Sequence, residues 1–335
     1  MKCVKVPLKQ LNDTRIKLME KGLMNMDYKI KAEKDYGYIP VNDNVDGYEI
    51  VCMHLEAMKK VPHNFSELLE DELTSDEIEN LRTSFDTIGD IVILEIPDDL
   101  VDKKQIIGDA ALKFTKRKAI YMKRSAIKGT TRVRDLEFLS GEDDSVTIHK
   151  EHGARLKLDV REVYFSPRLA TERKRVMESV VDGEKILDMF CGIGPFPIVI
   201  ARNKNVDITA VDINEAAVKY LDENIRLNKL KGSIKTYCGD VREVSKSFNC
   251  KYDRIIMNLP GLAYTFLDVA VDLIEDDGII NYYEFSDSYE QGKHRLKEAC
   301  KNVGKEIEII NCRKVKSTSP GEWHVAIDGR IKKID

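Results

Sequence analysis

The hydrophobic pattern changes character about halfway along the chain. From about residue 164 onward, short apolar runs alternate with stretches of helical period. Strands are predicted at 185–189, 207–213, 234–238, 254–257, 279–285, 306–312 and 324–327. Helices are predicted at 196–202, 215–228, 262–274 and 287–302. Helices between the first five or six strands, followed by a terminal strand pair, predict an α/β, Rossmann-like sheet that is mostly parallel. Upstream the elements are shorter. Residues 3–7, 36–40 and 48–52 have strand character, and 13–21 has helical spacing closed by Gly22. An acidic helical run is predicted at 66–81 and a strand at 91–97. Further strands are expected near 146–148 and 156–160.

The first three strands of the second half end alike. Ile186-Leu187-Asp188 runs into Met189-Phe190-Cys191-Gly192-Ile193-Gly194, Val211 into Asp212-Ile213, and Tyr237-Cys238 into Gly239-Asp240-Val241. In an open α/β sheet, ligands bind beyond the carboxyl ends of the strands. Glycines there let a ligand approach the backbone, and a carboxylate at the second strand tip can accept from both ribose hydroxyls. The third glycine of a dinucleotide fingerprint is missing, because Pro195-Phe196-Pro197 follows Gly194. A nucleoside without pyrophosphate fits better, and S-adenosyl-L-methionine is the expected cofactor. Asp and Gly also serve as ordinary turn residues after strands, but three such turns in succession favour the ligand reading. The fourth strand ends in Asn258-Leu259-Pro260-Gly261. Such a segment is good turn chemistry, and Asn258 also offers a donor and an acceptor to the edge of a base.

Composition narrows the setting. The 335 residues are 42% hydrophobic and 33% charged, ordinary for a soluble protein. No apolar run approaches the roughly 18 residues of a membrane span. Met1-Lys2-Cys3-Val4-Lys5 leads into no apolar signal region. Seven scattered cysteines without a Cys-x-x-Cys point to reduced thiols in a cytoplasmic setting. The net charge of −4 hides an asymmetry. Residues 61–100 hold twelve Asp/Glu against one Arg, and residues 103–134 hold eleven Lys/Arg against Asp109 alone. The basic stretch reads either as a polyanion footprint or as a solvated face. His149 and His152 lack enough neighbouring ligand types for a zinc site, so hydrogen-bonding roles are expected and no metal. Trp323 and Tyr282-Tyr283 read as packing residues.

A set of motifs occurs in order along the whole chain. Thr131-Arg132-Val133-Arg134-Asp135-Leu136-Glu137 is followed by Thr147-Ile148-His149-Lys150-Glu151. Val163-Tyr164-Phe165-Ser166-Pro167-Arg168-Leu169-Ala170-Thr171-Glu172-Arg173 comes next, ahead of the Asp188–Phe196 turn and Asn258-Leu259-Pro260. Together they resemble the archaeal and eukaryotic tRNA (guanine-37-N1)-methyltransferases. Cys191, where alanine is common, and Gly261 depart slightly from that pattern. The resemblance implies a class I methyltransferase sheet with two smaller N-terminal α+β RNA-binding domains. Their bounds are expected at 1–59, 64–163 and 164–335, the first reaching the outer corner of tRNA.

The same resemblance implies roles. Glu172 is the expected general base, Arg132 stabilises the guanine carbonyl oxygen, and Tyr164 and Asn258 position the base. Arg173, Asp188, Phe190, Gly192, Gly194, Asp212, Ile213, Asp240, Val241, Asn258 and Pro260 line the cofactor site. The partner is tRNA, through its anticodon stem-loop and outer corner, and the enzyme is expected to act as a cytoplasmic monomer. The rival readings are an aminocarboxypropyl transferase or a dual-substrate methyltransferase of wyosine-type tRNA modification. A non-catalytic RNA-binding protein and a nicotinamide dehydrogenase stand further off.

Overall fold

The computed structural model describes residues 1–58, 62–124 and 135–333. It contains two compact units, Met1–His63 and Asn64–Asp335. In the first unit, β1 (Lys2–Pro7), α1 (Leu11–Glu20), β2 (Lys31–Glu33), β3 (Tyr36–Pro40) and β4 (Glu49–Cys52) follow in order. The strands pair antiparallel in the order β2-β3-β1-β4. Val4, Val6 and Ile39 of the sheet close over Leu18 of α1. A Cβ at Gly37 would lie 2.3 Å from Leu11 Cδ1, so the Leu11 side chain packs directly onto the β3 backbone at this glycine.

The second unit opens with an acidic run that does not form the single helix its composition suggests. A 3-10 turn at Phe65–Leu68 precedes a break, and α2 (Ser75–Asn80) starts afresh at Thr74. The Glu77 carboxylate accepts from Thr74 N at 2.8 Å, and the Thr74 hydroxyl accepts from Glu77 N, a capping box inside the run. Next come β5 (Phe85–Ile88), β6 (Ile91–Leu94), α3 (Lys104–Thr115), β7 (Ala119–Lys123) and β8 (Leu136–Gly141). They make a mixed sheet in the order β5-β6-β7-β8. The helix and the strand at 104–123 lie inside the stretch that its charge marks out. Ile107, Ala110 and Ala111 of α3 cover one face of the sheet, against Val92, Leu94, Ile120 and Met122. Ile91, Ile93 and Tyr121 on the other face meet Leu156 and Leu158. Both faces are covered, which is why Ile91-Val-Ile-Leu94 is apolar without alternation.

The hairpin β9 (Val146–Glu151) and β10 (Ala154–Asp159) leads into α4 (Ala170–Ser179). Then follow β11 (Lys185–Asp188), α5 (Pro195–Asn203), β12 (Asp207–Asp212), α6 (Glu215–Leu227), β13 (Ser233–Cys238) and α7 (Val241–Val244). β14 (Tyr252–Met257), α8 (Leu267–Leu273), β15 (Ile274–Ser286), α9 (Glu290–Asn302), β16 (Lys305–Ser319) and β17 (Glu322–Lys333) complete the described chain. The large sheet has the order β13-β12-β11-β14-β15-β17-β16. Pairing is parallel from β13 to β15 and antiparallel for β17 with both of its neighbours. The chain order reverses between β11 and β14, which opens a crevice beyond their carboxyl ends. The terminal strands run much longer than the apolar runs at 306–312 and 324–327. Charged residues interrupt the alternation there, and the strands continue through them with half-buried Arg313 paired to buried Asp328.

Candidate active site

A cavity of about 380 Å³ occupies that crevice, within the ordinary size of a small-ligand site. Of the residues named from the sequence, Tyr164, Arg173, Phe190, Gly192, Asp212, Ile213, Asp240, Val241, Asn258 and Pro260 line it. Glu172, Asp188 and Gly194 do not. Arg132 lies outside the described residues.

The tips of β11, β12 and β13 build one end of the cavity. Gly192 has φ +53° and open space where a Cβ would stand, with only Tyr164 O at 3.9 Å. Its N–H donates to Asp212 Oδ2 at 2.7 Å, and Asn214 N donates to Oδ1 at 2.9 Å. Both oxygens keep lone pairs free, since a carboxylate has about four acceptor sites. Gly194 serves another purpose: a Cβ there would lie 2.2 Å from Leu221 Cδ1, so it lets α5 start close against α6. Asp240 caps α7 and is paired with Arg242, which holds its carboxyl below the usual range. The Arg242 guanidinium lies 4.7 Å from the Phe266 ring centre. Ile213 is 46% exposed, an apolar face open to the cavity.

Asp188 sits behind this wall. It is 1% exposed, and its Oδ1 accepts from Phe190 N at 3.2 Å. Oδ2 is buried with no hydrogen-bond partner. Burial first, and the neighbouring Asp212 as well, push its pKa up to about 8. A second buried acceptor, Asn258 Oδ1, also has no partner and belongs to the cavity wall. Leaving such a group unpaired costs about 1–3 kcal/mol. The cavity therefore presents a carboxylate with free acceptor sites, an apolar face and an unused acceptor, a set whose chemistry suits a nucleoside sulfonium and a base edge. The Asn258 turn is pinned to the sheet by Phe285 N donating to Pro260 O at 3.1 Å.

Arg173 is 1% exposed, bound by both oxygens of Glu151 and by Ser166 O at 3.1 Å. Glu172, 4% exposed, belongs to a different cluster. Its Oε1 accepts from the Tyr283 hydroxyl at 2.7 Å and from Arg175 Nη2 at 2.9 Å. Arg313 Nη1 lies 3.5 Å from Oε2. Arg175 and Arg313 also both bind Asp328, so two guanidinium groups and two carboxylates balance. Burial raises the Glu172 pKa, and Arg175 and Tyr283 hold it back. His324 stands between this cluster and the cavity, its ring 5.5 Å from that of Tyr283 and 5.6 Å from that of Phe285.

A model of the TRM5/TYW2 methyltransferase domain matches residues 147–310. Models of the tRNA methyltransferase 5 N-terminal domain and the TYW2 N-terminal domain match residues 3–49 and 65–144. The chain is 43% identical over 333 residues to a Pyrococcus abyssi protein named tRNA (guanine(37)-N(1))-methyltransferase Trm5b, covering 98% of each. The chain belongs to the TRM5/TYW2 family. A solved structure titled as the complex of aTrm5 and tRNALeu is 37% identical, with a TM-score of 0.85 over 98% of this chain and 99% of that one. A Methanocaldococcus jannaschii family member named tRNA(Phe) (4-demethylwyosine(37)-C(7)) aminocarboxypropyltransferase is 35% identical over 75% of this chain and 98% of its own length.

Within this family member, five of the described residues of the basic stretch are used internally. Lys103 binds Glu77, Lys104 and Arg124 bind Glu137, Lys118 binds Asp144, and Lys123 binds Asp86. Lys103 and Lys123 thus meet the acidic segment itself, while Lys104, Lys118 and Arg124 pair with carboxylates that follow the basic stretch. Lys113 and Lys116 remain exposed. His149 Nδ1 accepts from Gly89 N at 3.2 Å, and His152 Nε2 bonds Ala170 O at 2.8 Å. Trp323 packs under Lys314, whose Nζ lies 4.5 Å from its ring. Tyr282 and Tyr283 are fully buried. Sequence reading missed Phe285, Lys316 and His324 in the cavity wall. They come from strands whose facing depends on pairing, so no local motif marks them. Among the described residues, no helix is long and apolar enough to cross a membrane.

Proposed function

We propose that the chain transfers the methyl group of S-adenosyl-L-methionine to N1 of guanosine 37 in tRNA, in the cytoplasm and as a monomer. One observation carries the reading: likeness to a Trm5b protein over 98% of both chains, at 43% identity. The aminocarboxypropyltransferase relative is less alike and matches only 75% of the chain. That favours methyl transfer over the rival group.

Asp212 would hold the ribose hydroxyls, Ile213 and Val241 the faces of the adenine, and Asp240 its amino edge. Phe190, Gly192, Pro260 and Arg173 would shape the remaining wall, with Asp188 behind it. The cofactor, when bound, supplies an electrophilic methyl with a neutral leaving group. Asn258 would accept from the guanine edge through its unpartnered Oδ1, and Tyr164 would flank the base. Guanine N1 carries a proton and attacks only once that proton leaves, so a general base contributes typically 10²–10⁴ in rate. Glu172 is the base in this reading, and its raised pKa suits a proton acceptor. Its carboxylate is stored against Arg175 and Tyr283 and turns into the cavity when the target base enters, since catalytic contacts often tighten only in the complex. Arg132 would stabilise the negative charge that develops on the guanine carbonyl oxygen.

The test is mass spectrometry of tRNA nucleosides after incubation with isotopically labelled S-adenosylmethionine. A labelled 1-methylguanosine from guanosine-37 transcripts, absent from adenosine-37 transcripts, is expected. An aminocarboxypropyl mass shift, or equal labelling of both transcripts, overturns the assignment.

A further inference from the structure

The cavity wall carries Arg173, Arg242 and Lys316. The first is neutralised by Glu151 and the second by Asp240. Lys316 is half-buried in the wall, and among the described residues no carboxylate lies within ion-pair distance of it. Its orientation is built into the strand. On β16 and β17, Lys314 pairs with Val325 but Lys316 pairs with His324, so two residues of one strand advance past one of the other. Directly opposed residues share a face, and neighbours along a strand do not. The irregularity therefore puts Lys314 and Lys316 on opposite faces, although an unbroken strand would put them on the same one. Lys314 covers Trp323 on the one side, and Lys316 joins His324 and Phe285 in the cavity on the other. Bulges of this kind re-aim side chains next to active sites.

Position selects the anion. Asp212 ends β12, and β16 lies five strand spacings away along the sheet, on the order of 24 Å at about 4.8 Å per strand. The nucleoside end of the cavity and Lys316 are thus at opposite sides, with Asn258 at the tip of β14 between them. We infer that Lys316 binds a backbone phosphate of the RNA nucleotide whose base enters the cavity beside Asn258, a reading that rests on the function proposed above. A flipped base takes its own ribose and phosphate along, and an unpaired ammonium in the wall fixes where that phosphate stops.

The experiment uses the full chain, tRNA transcripts with guanosine 37, and the same RNA with a neutral methylphosphonate on either side of nucleotide 37. K316Q is expected to weaken tRNA binding about tenfold and to make its log–log salt dependence shallower by about 0.7. K316R restores binding, K314Q leaves it unchanged, and S-adenosylmethionine affinity in K316Q stays that of the wild type. One of the two methylphosphonates costs the wild-type protein the same tenfold and costs K316Q nothing further. Losses that multiply between K316Q and both neutral RNAs overturn the inference. So does weakened cofactor binding in K316Q, which assigns the lysine to the cofactor carboxylate. The neutral RNAs test the wild-type protein directly, and if neither weakens its binding the inference fails however K316Q folds. Methyl transfer by the wild type is read in the same assay. Its absence overturns the proposed function, whereas a failure confined to the K316Q and methylphosphonate comparisons overturns the lysine assignment alone.

Discussion

The Tyr283 hydroxyl donates to Glu172 Oε1 at 2.7 Å, with both side chains buried. The residue proposed as general base is thus held from the sheet, by a strand more than a hundred positions away in sequence. Replacing Glu172 by Gln keeps the shape and removes the proton acceptor. Single-turnover methylation should fall by about 10²–10⁴, while the affinities for tRNA and cofactor stay near wild type. The variant should also melt lower, because Arg175 and Arg313 lose one of their two carboxylates. A wild-type rate in E172Q would remove Glu172 from the chemistry.

Tyr283→Phe tests the same pair from the other side. The hydroxyl favours the charged carboxylate, so its loss should raise the Glu172 pKa beyond the level that burial already sets. The base works as the carboxylate, so the acidic limb of the rate profile should move to higher pH. A plateau rate near wild type at high pH would mark a positioning role. An unmoved acidic limb would refute the coupling.

Asp212→Ala should weaken S-adenosylmethionine binding at least tenfold, since hydrogen bonds to charged groups are worth roughly 1.5–3 kcal/mol each. The substitution also frees Gly192 N and Asn214 N, so the loop after β11 loses its brace. Calorimetry showing unchanged affinity would take Asp212 out of the site.

Asp188 makes a prediction about stability. Its pKa is raised from 3.8 to about 8 by burial in the folded chain. The folded state therefore binds this proton more tightly than the unfolded state. Its contribution is complete below about pH 4 and is lost as pH rises through about 8. Asp188→Asn mimics the protonated form and should flatten that decline. Melting temperatures of the two proteins should diverge in favour of the variant between pH 5 and pH 9. Parallel curves would mean that Asp188 titrates alike in both states.

Residues 1–63 form a compact unit with their own small core. Starting the chain at Asn64 should therefore leave a folded protein. The family resemblance implies that this unit reaches the outer corner of tRNA, so the truncation should weaken binding of full-length tRNA while sparing methylation of substrate already bound. Equal loss at saturating tRNA would count against that division.

The end of the cavity built by the tips of β11, β12 and β13 was legible because its residues follow strands locally: Gly192, Asp212 and Asp240 need only the turn that bears them. The opposite end was not. Phe285 and His324 face the cavity through strand register, and Lys316 does so through a one-residue slip that no periodicity reveals. The helix at Lys104–Thr115 was hidden for another reason. Its lysines drew attention as a charge stretch, while its buried stripe of Ile107, Ala110 and Ala111 is short and small. The acidic run misled in the opposite sense, because Thr74 and Glu77 start a new helix within it. Gly194, expected at the cofactor, lies outside the cavity lining and stands close against Leu221 of α6, a packing contact that no local motif reveals.

The cluster around Glu172 also bears on the order in which the protein becomes active. Arg175 and Asp328 are 153 residues apart, and Asp328 lies on β17, which inserts between β15 and β16. A nascent chain will have emerged through the tips of β11, β12 and β13 before the strand that steadies Glu172 leaves the ribosome. If those tips hold the cofactor and Glu172 is the base, as proposed, cofactor affinity should appear earlier in synthesis than catalytic competence.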